Sequence, residues 1–447
     1  MPTHQVGRID ERLLNNTRRL ETATMNFVSP LSLWFLAVAL LAFVPKTESI
    51  TAAQKQAIKK GLATGKEILD IIKEQDFKKF LTKTVASNIK SFLGALGPFI
   101  GLVMTFVPSA DSEELKLMKT MMKEIDTQFD RVDSRFNDVE RLIKWTETAV
   151  QFGEIQTALT ALQEEYRLLY ISSAPDENVK YLYIKSYESN YKLAGTKLYQ
   201  ALVTPGGYFN ENLGEAVMRY TKNDRRKTNV FLLGIYEMIL QAVKLESAYY
   251  KMNSFEIIQE ERDKEWESRL ESIRLKIERF DVDVKYKYYS QSREEIIAYA
   301  RDNSGMSNEQ FSSEVYDLLF DKYYWREWFV LIYNPIIGSD KHRMNTPCGG
   351  HILLRQNGRN IVIASQENTT EAMDVEKAHV ILVKLIIDDS VGNTQISFNA
   401  EEVYYRVDKS IACSFAVVRK DAGVSYKANP SRVVQIDYST FKIFMFG

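Results

Sequence analysis

No proline falls between Pro205 and Pro335, and this gap constrains the fold more than any other feature of the chain. Proline removes a backbone donor and clashes with the preceding turn, so a long proline-free stretch can stay helical. The patterning agrees with that reading from Thr51 to about Tyr324. TAAQKQAIKKGLATGKEILDIIKEQDFKKFL reads as one or two amphipathic helices, and further helices run from Glu154 to Tyr170, Asn178 to Leu202, Asn212 to Met252 and through the highly charged Ser254 to Tyr289. Two shorter helices are expected near Arg293 to Arg301 and Asn308 to Tyr323. The charges of QEERDKEWESRLESIRLKIERF recur at helical spacing, which describes a solvated helix face.

One segment repeats more strictly. Met118, Met122, Ile125, Phe129, Val132, Phe136, Val139 and Ile143 alternate steps of four and three, the seam of a heptad helix spanning 112–148. Asp111, Ser112, Glu113 and Glu114 ahead of it supply a cap and first-turn acids. The ordinary meaning of such a seam is one helix of an antiparallel bundle.

The pattern changes near Trp325. FVLIY, HILLR, NIVIAS, HVILVKLII, QISF, EEVYYRV, ACSFAVVR, RVVQIDY and FKIFMF read as short strands rich in β-branched and aromatic residues. Asn357-Gly358 marks a tight hairpin. The fold class is therefore a multi-domain α and β chain. An elongated helical bundle covers 50–324, and an all-β, sandwich-like module covers 325–447. The aromatic run Tyr323 to Tyr333 either fills the seam between the two parts or meets a lipid interface.

Just before the heptad helix lies NIKSFLGALGPFIGLVMTFV, with no charge from Phe92 to Val107. Its length sits near the lower limit of about 17 residues for a membrane span. Phe92, Leu93, Gly94, Gly97, Pro98, Phe99, Gly101, Leu102, Val103 and Phe106 are the candidate membrane-inserting residues. Glycines at this spacing permit close helix approach and loosen a helix. Two readings stand: a central helix covered on all sides by neighbours, or an apolar element that swings out with the heptad helix.

The other apolar block, Leu31 to Val44, suits the core of a signal peptide spanning 25–49, with cleavage near Ile50 after Thr47 and Ser49. Residues 1–24 form a polar leader: either Met25 is the start, or Arg18 and Arg19 serve as the positive region of a long signal, and an uncleaved anchor stays open. Secretion fits two cysteines, Cys348 and Cys413, either as one disulfide or as buried thiols. It also fits the glycosylation sequon at Asn368.

Chemistry finds little purchase. The net charge of −1 offers no basic field for nucleic acid. No zinc-hydrolase, nucleophile-elbow, phosphate-loop or dinucleotide motif occurs. Cys348, His342 and His351 fit no common zinc spacing. No catalytic residue, metal or cofactor is expected.

At YWREWFVLIYNPIIGSDKH and CGGHILLRQNGRNIVIAS the chain resembles secreted animal proteins of the cephalotoxin-like and rapunzel-like group. The order of signal, amphipathic helices, Gly-rich apolar helix and β-rich tail more loosely resembles the box-jellyfish toxins. The second likeness implies membrane disruption by oligomeric pore formation, hence cytolysis or haemolysis, with the target cell membrane as partner. The rapunzel-like proteins are not established pore formers, and that pulls the other way. The expectation is a secreted extracellular toxin, homo-oligomeric on the membrane, whose β module binds a surface receptor or glycan. The alternative is a non-toxic secreted interaction protein whose β module binds a protein or glycan.

Overall fold

Thr51 opens the first helix with a capping box: its side chain accepts from the Gln54 N–H while Gln54 accepts from the Thr51 N–H. The structure, a computed structural model, describes residues 51–105, 112–129, 141, 147–171, 177–191, 193–204, 208–345, 348–391 and 399–447. The leader, the signal segment, Phe106, Val107, QISF and the seam residues Val132, Phe136, Val139 and Ile143 lie outside the described residues.

The helical part comprises α1 (Ala52–Glu74), α2 (Phe77–Lys83), α3 (Ala86–Thr105), α4 (Glu113–Phe129), α5 (Glu147–Ile171), α6 (Glu177–Ser186), α7 (Ala194–Val203), α8 (Leu213–Tyr220), α9 (Arg225–Met252), α10 (Glu256–Tyr286), α11 (Tyr288–Asp302) and α12 (Asn308–Lys322). The centre of the bundle is α9, whose middle is buried on every side from Thr228 to Tyr236 apart from Gly234. At 28 residues it is about 42 Å long.

Two expected single helices are broken. Asn178 to Leu202 divides into α6, a π-helical turn (Tyr187–Tyr191) and α7. There Tyr187 stacks between Tyr191 and Tyr249, with ring centroids 4.4 and 4.0 Å away. Asn212 to Met252 divides at Lys222 and Asn223, both left-handed, after which Asp224 caps α9.

Beyond Tyr323 the chain forms two antiparallel four-stranded sheets. Sheet A has the order β3 (His351–Gln356), β4 (Arg359–Glu367), β1 (Arg326–Tyr333), β6 (Ser425–Ala428). Sheet B has the order β2 (His342–Met344), β5 (Ser414–Arg419), β8 (Phe441–Phe446), β7 (Val433–Tyr438). Trp328, Val330 and Ile332 of β1 pack against α11 and α12, while Phe329, Leu331 and Tyr333 pack against sheet B. Burial on both faces explains why this strand reads as a continuous apolar run.

The outer face of sheet B is also covered, and here two expected strands prove to be helices. HVILVKLII lies in α13 (Val375–Val391), and EEVYYRV in α14 (Ala400–Arg406). Ala378, Leu382 and Leu385 of α13, and Ala400, Val403 and Val407 at α14, are buried against Phe415, Val417 and Ile443. Their spacing of three and four is helical, but in a short apolar run it is masked by exposed apolar neighbours such as Val380 and Ile386. The module thus has four layers: helices, sheet A, sheet B, helices. Tyr323, Trp325 and Trp328 sit in the core shared by α12 and sheet A, the seam reading of the aromatic run.

Cys348 and Cys413 form a disulfide with Cα atoms 5.4 Å apart. Cys348 lies just before β3 and Cys413 just before β5, so the bond ties sheet A to sheet B. Of the two histidines weighed for zinc, His342 Nδ1 hydrogen-bonds the Tyr333 hydroxyl at 2.7 Å, and His351 Nε2 the Ser292 hydroxyl at 3.0 Å.

Candidate functional site

Apolar α3 carries no charge from Ser91 to Thr105. Its 20 residues span about 30 Å, the thickness of a bilayer's hydrocarbon core. Phe92, Leu93, Phe99, Leu102 and Val103 of the predicted set are buried, together with Gly97. Gly94 and Pro98 face outward, and Gly101 is half-buried. The helix continues through Pro98. Proline deletes the bond to the Gly94 carbonyl, and both residues lie on the exposed side, where water can satisfy that oxygen.

Among the described residues, α3 and α9 are the helices long and apolar enough to cross a membrane. They differ in cover: 56% of the apolar window of α3 is buried against 89% for α9. That difference marks α9 as a core helix and α3 as one with an open side.

The glycines of α3 play unequal parts. A Cβ at Gly97 would lie 1.8 Å from Gln259 Nε2, which donates to Ser247 at 3.0 Å. At Gly101 it would meet only the flexible end of Lys251, and at Gly94 nothing within 4 Å. The close packing of α1 on α3 depends on two glycines of α1. A Cβ at Gly61 would lie 2.3 Å from the Ser91 carbonyl oxygen, and one at Gly65 2.2 Å from the Phe92 ring. Sequence reading missed this pair, although GLATG, with glycines four apart on an amphipathic helix, is a small-residue face.

Of the expected heptad seam, Met118, Met122, Ile125 and Phe129 of α4 are buried. Beside it lies a charge cluster that the periodicity did not reveal. Asp126 of α4 and Lys244 of α9 form an ion pair with both side chains essentially without solvent. Lys244 also donates to Gln163 Oε1 and lies 4.5 Å from the Tyr166 ring centre and 4.7 Å from that of Phe129. The Tyr170 hydroxyl donates to the second Asp126 oxygen, and Arg167 donates to its backbone carbonyl at 2.9 Å.

Burial pushes Lys244 down to about 8, opposed by the Asp126 charge, and the same burial with that carboxylate raises Tyr170 well above its ordinary range. The pair therefore fastens α4, which follows α3, to the bundle's central helix. The sequence carries no clear signal for it, because Lys244 stands in LLGIYEMILQAVKLES among Glu237, Gln241 and Glu246 and reads as one more solvated charge.

A second cluster lies further along α9. Glu246, buried, accepts from Arg262 at 2.6 Å and from the Tyr191 hydroxyl at 2.8 Å. Burial, then the Glu246 and Glu260 charges, raise Asp263 of α10 to about 7.

The fold and this site define a helical bundle with a partly open apolar helix, joined to a four-layer β module. Residues 108–305, which include α4 and the buried ion pair, match the family model of the cephalotoxin-like middle helical domain. The match supports a cephalotoxin-like, toxin-like family, and it covers less than half of the chain. No curated protein and no solved structure matches.

Proposed function

We propose that this is a secreted, toxin-like protein that disrupts cell membranes, with α3 and α4 as the hairpin that leaves the bundle for lipid. The observation that carries the reading is α3 itself: bilayer-length, uncharged from Ser91 to Thr105, and open along one side at Lys90, Gly94 and Pro98. The cephalotoxin-like match supports it. Lipid replaces the apolar contacts of Phe92, Phe99 and Val103 at about 25 cal/mol per Å² of area kept from water, so transfer costs little on that account. What opposes it is the Asp126–Lys244 pair, which must be broken or carried along, because an unpaired buried charge costs several kcal/mol. Association of several inserted copies supplies the compensating contacts and makes a pore. The β module, with Asn368 exposed at the end of β4, is the receptor- or glycan-facing part.

The test is dye release from liposomes and lysis of red cells by the chain from Ile50 onward. Saturable release supports insertion. No release from any lipid composition makes α3 a plain core helix and leaves an interaction protein whose partner binds the β module.

A further inference from the structure

The bundle has two chemically different ends. At one end α9 begins beside the β module: Arg225 pairs with Asp281 at 2.7 Å and lies 5.1 Å from the Trp325 ring, and Lys285 reaches Glu367 at 3.0 Å. At the other end several helix termini meet. Phe99 of α3 touches Tyr170 near the end of α5, and Gly101 faces Lys251 at the end of α9. Lys55 and Lys59 at the start of α1 pair with Glu114 at the start of α4, at 3.0 and 3.2 Å. This second end is where α3 finishes, about 42 Å along α9 from the β module.

Exposed large apolar side chains gather there. The turn from α9 to α10 passes through Ser254, which is left-handed at φ 57, and presents Phe255, Ile257 and Ile258. Ile257 is 78% exposed, the highest value among the large hydrophobic residues described. Ile171, the last residue of α5, and Leu117, in the first turns of α4, are also exposed. Single exposed apolar residues are ordinary, whereas three within four positions of one turn are not.

Two observations select the partner. Ile257 and Ile258 lie about 100° apart around α10 and Phe255 precedes them at its non-helical N-cap, so the three present no single flat face. A medium that closes around the tip covers all three; a groove on a folded protein covers one side. The lysines at this end are also paired within the chain, Lys251 with Glu256 at 3.2 Å and Lys55 and Lys59 with Glu114, so they make little demand on a partner's negative charge.

We infer that the α9–α10 tip, Phe255 to Ile258, is the first contact with a lipid bilayer, entering the headgroup–acyl boundary through apolar side chains. The inference rests on the membrane-active reading above and adds to it an orientation: the β module points away from the bilayer, and the end of α3 is delivered to it.

The test is flotation of the full chain, secreted by its host cell, with phosphatidylcholine vesicles with and without phosphatidylserine. Ile257→Glu combined with Phe255→Ser should lower the vesicle-bound fraction at least tenfold. Leu275→Glu, at an exposed site further along α10, should leave it within twofold. Wild-type binding should be similar on both vesicles and survive high salt. Equal binding by the tip variant and wild type overturns the inference, as does equal loss in the Leu275 variant. Binding confined to anionic vesicles and lost in salt, or no wild-type binding, overturns it too. Wild-type binding through the tip without dye release sinks pore formation and leaves the tip in place, and release with an unaffected tip variant does the reverse.

Discussion

Gly94 is the position where the soluble bundle and the inserted hairpin make opposite demands. It sits near the middle of α3, faces outward, and a Cβ there meets nothing within 4 Å. Lysine at this site therefore fits the bundle, and replacing a mid-helix glycine stabilises the helix by about 0.5–1 kcal/mol. Repulsion from Lys90, one turn earlier, takes back roughly 0.2–0.5 kcal/mol. Both effects apply wherever α3 remains a helix, so they largely cancel between the soluble and inserted states. The charge does not cancel. At the centre of a membrane-spanning helix lysine costs about 2.5–3.5 kcal/mol, which is roughly a 60- to 300-fold shift against insertion.

Gly94→Lys should melt at or slightly above the wild-type temperature by circular dichroism. It should need at least tens of times more protein for half-maximal dye release. Gly94→Ala, with the same helix benefit and no charge, should release as wild type does. A well-folded Gly94→Lys protein releasing within threefold of wild type refutes insertion of α3. A charge at Phe99 would be a poorer probe, because that ring is fully buried and the substitution tests folding instead.

Three further outcomes follow from the core. Asp126→Asn and Lys244→Met should each cost about 3–5 kcal/mol in chemical denaturation, while Asp126→Leu with Lys244→Met should come within about 1 kcal/mol of wild type; a double variant as weak as the sum of the singles refutes a paired role. His351, buried and next to Arg293, is depressed to about 4, so the unfolded chain takes up its proton near pH 6.5 and the folded chain does not until about 4. Stability should therefore fall by about 3 kcal/mol as pH drops through that window, and His351→Gln should remove that share, as read by thermal melts at pH 7 and 4.5. Opening the Cys348–Cys413 loop, 65 residues long, should cost about 4 kcal/mol on a chain-entropy basis, so Cys348→Ser with Cys413→Ser should melt several degrees lower. An unchanged melting temperature would show that sheet packing alone fixes the two sheets.

What the sequence determined by itself was whatever repeats along the chain. The proline-free helical stretch, the seam at Met118, Met122, Ile125 and Phe129, the strands FVLIY, NIVIAS and FKIFMF, and the uncharged run of α3 are all periodic or local, and local patterns survive without tertiary information. What only the tertiary structure decided was contact between distant residues. The segment HVILVKLII became helix α13 because the outer face of sheet B needs cover, a requirement absent from the segment's own composition. Gly61 and Gly65 of α1, as well as Gly97 of α3, proved to sit at close helix approaches, because close packing belongs to a pair of surfaces. Asp126 and Lys244 lie 118 residues apart, and either one alone reads as an ordinary solvated charge. Folding brings them into a place without water, where each makes the other tolerable.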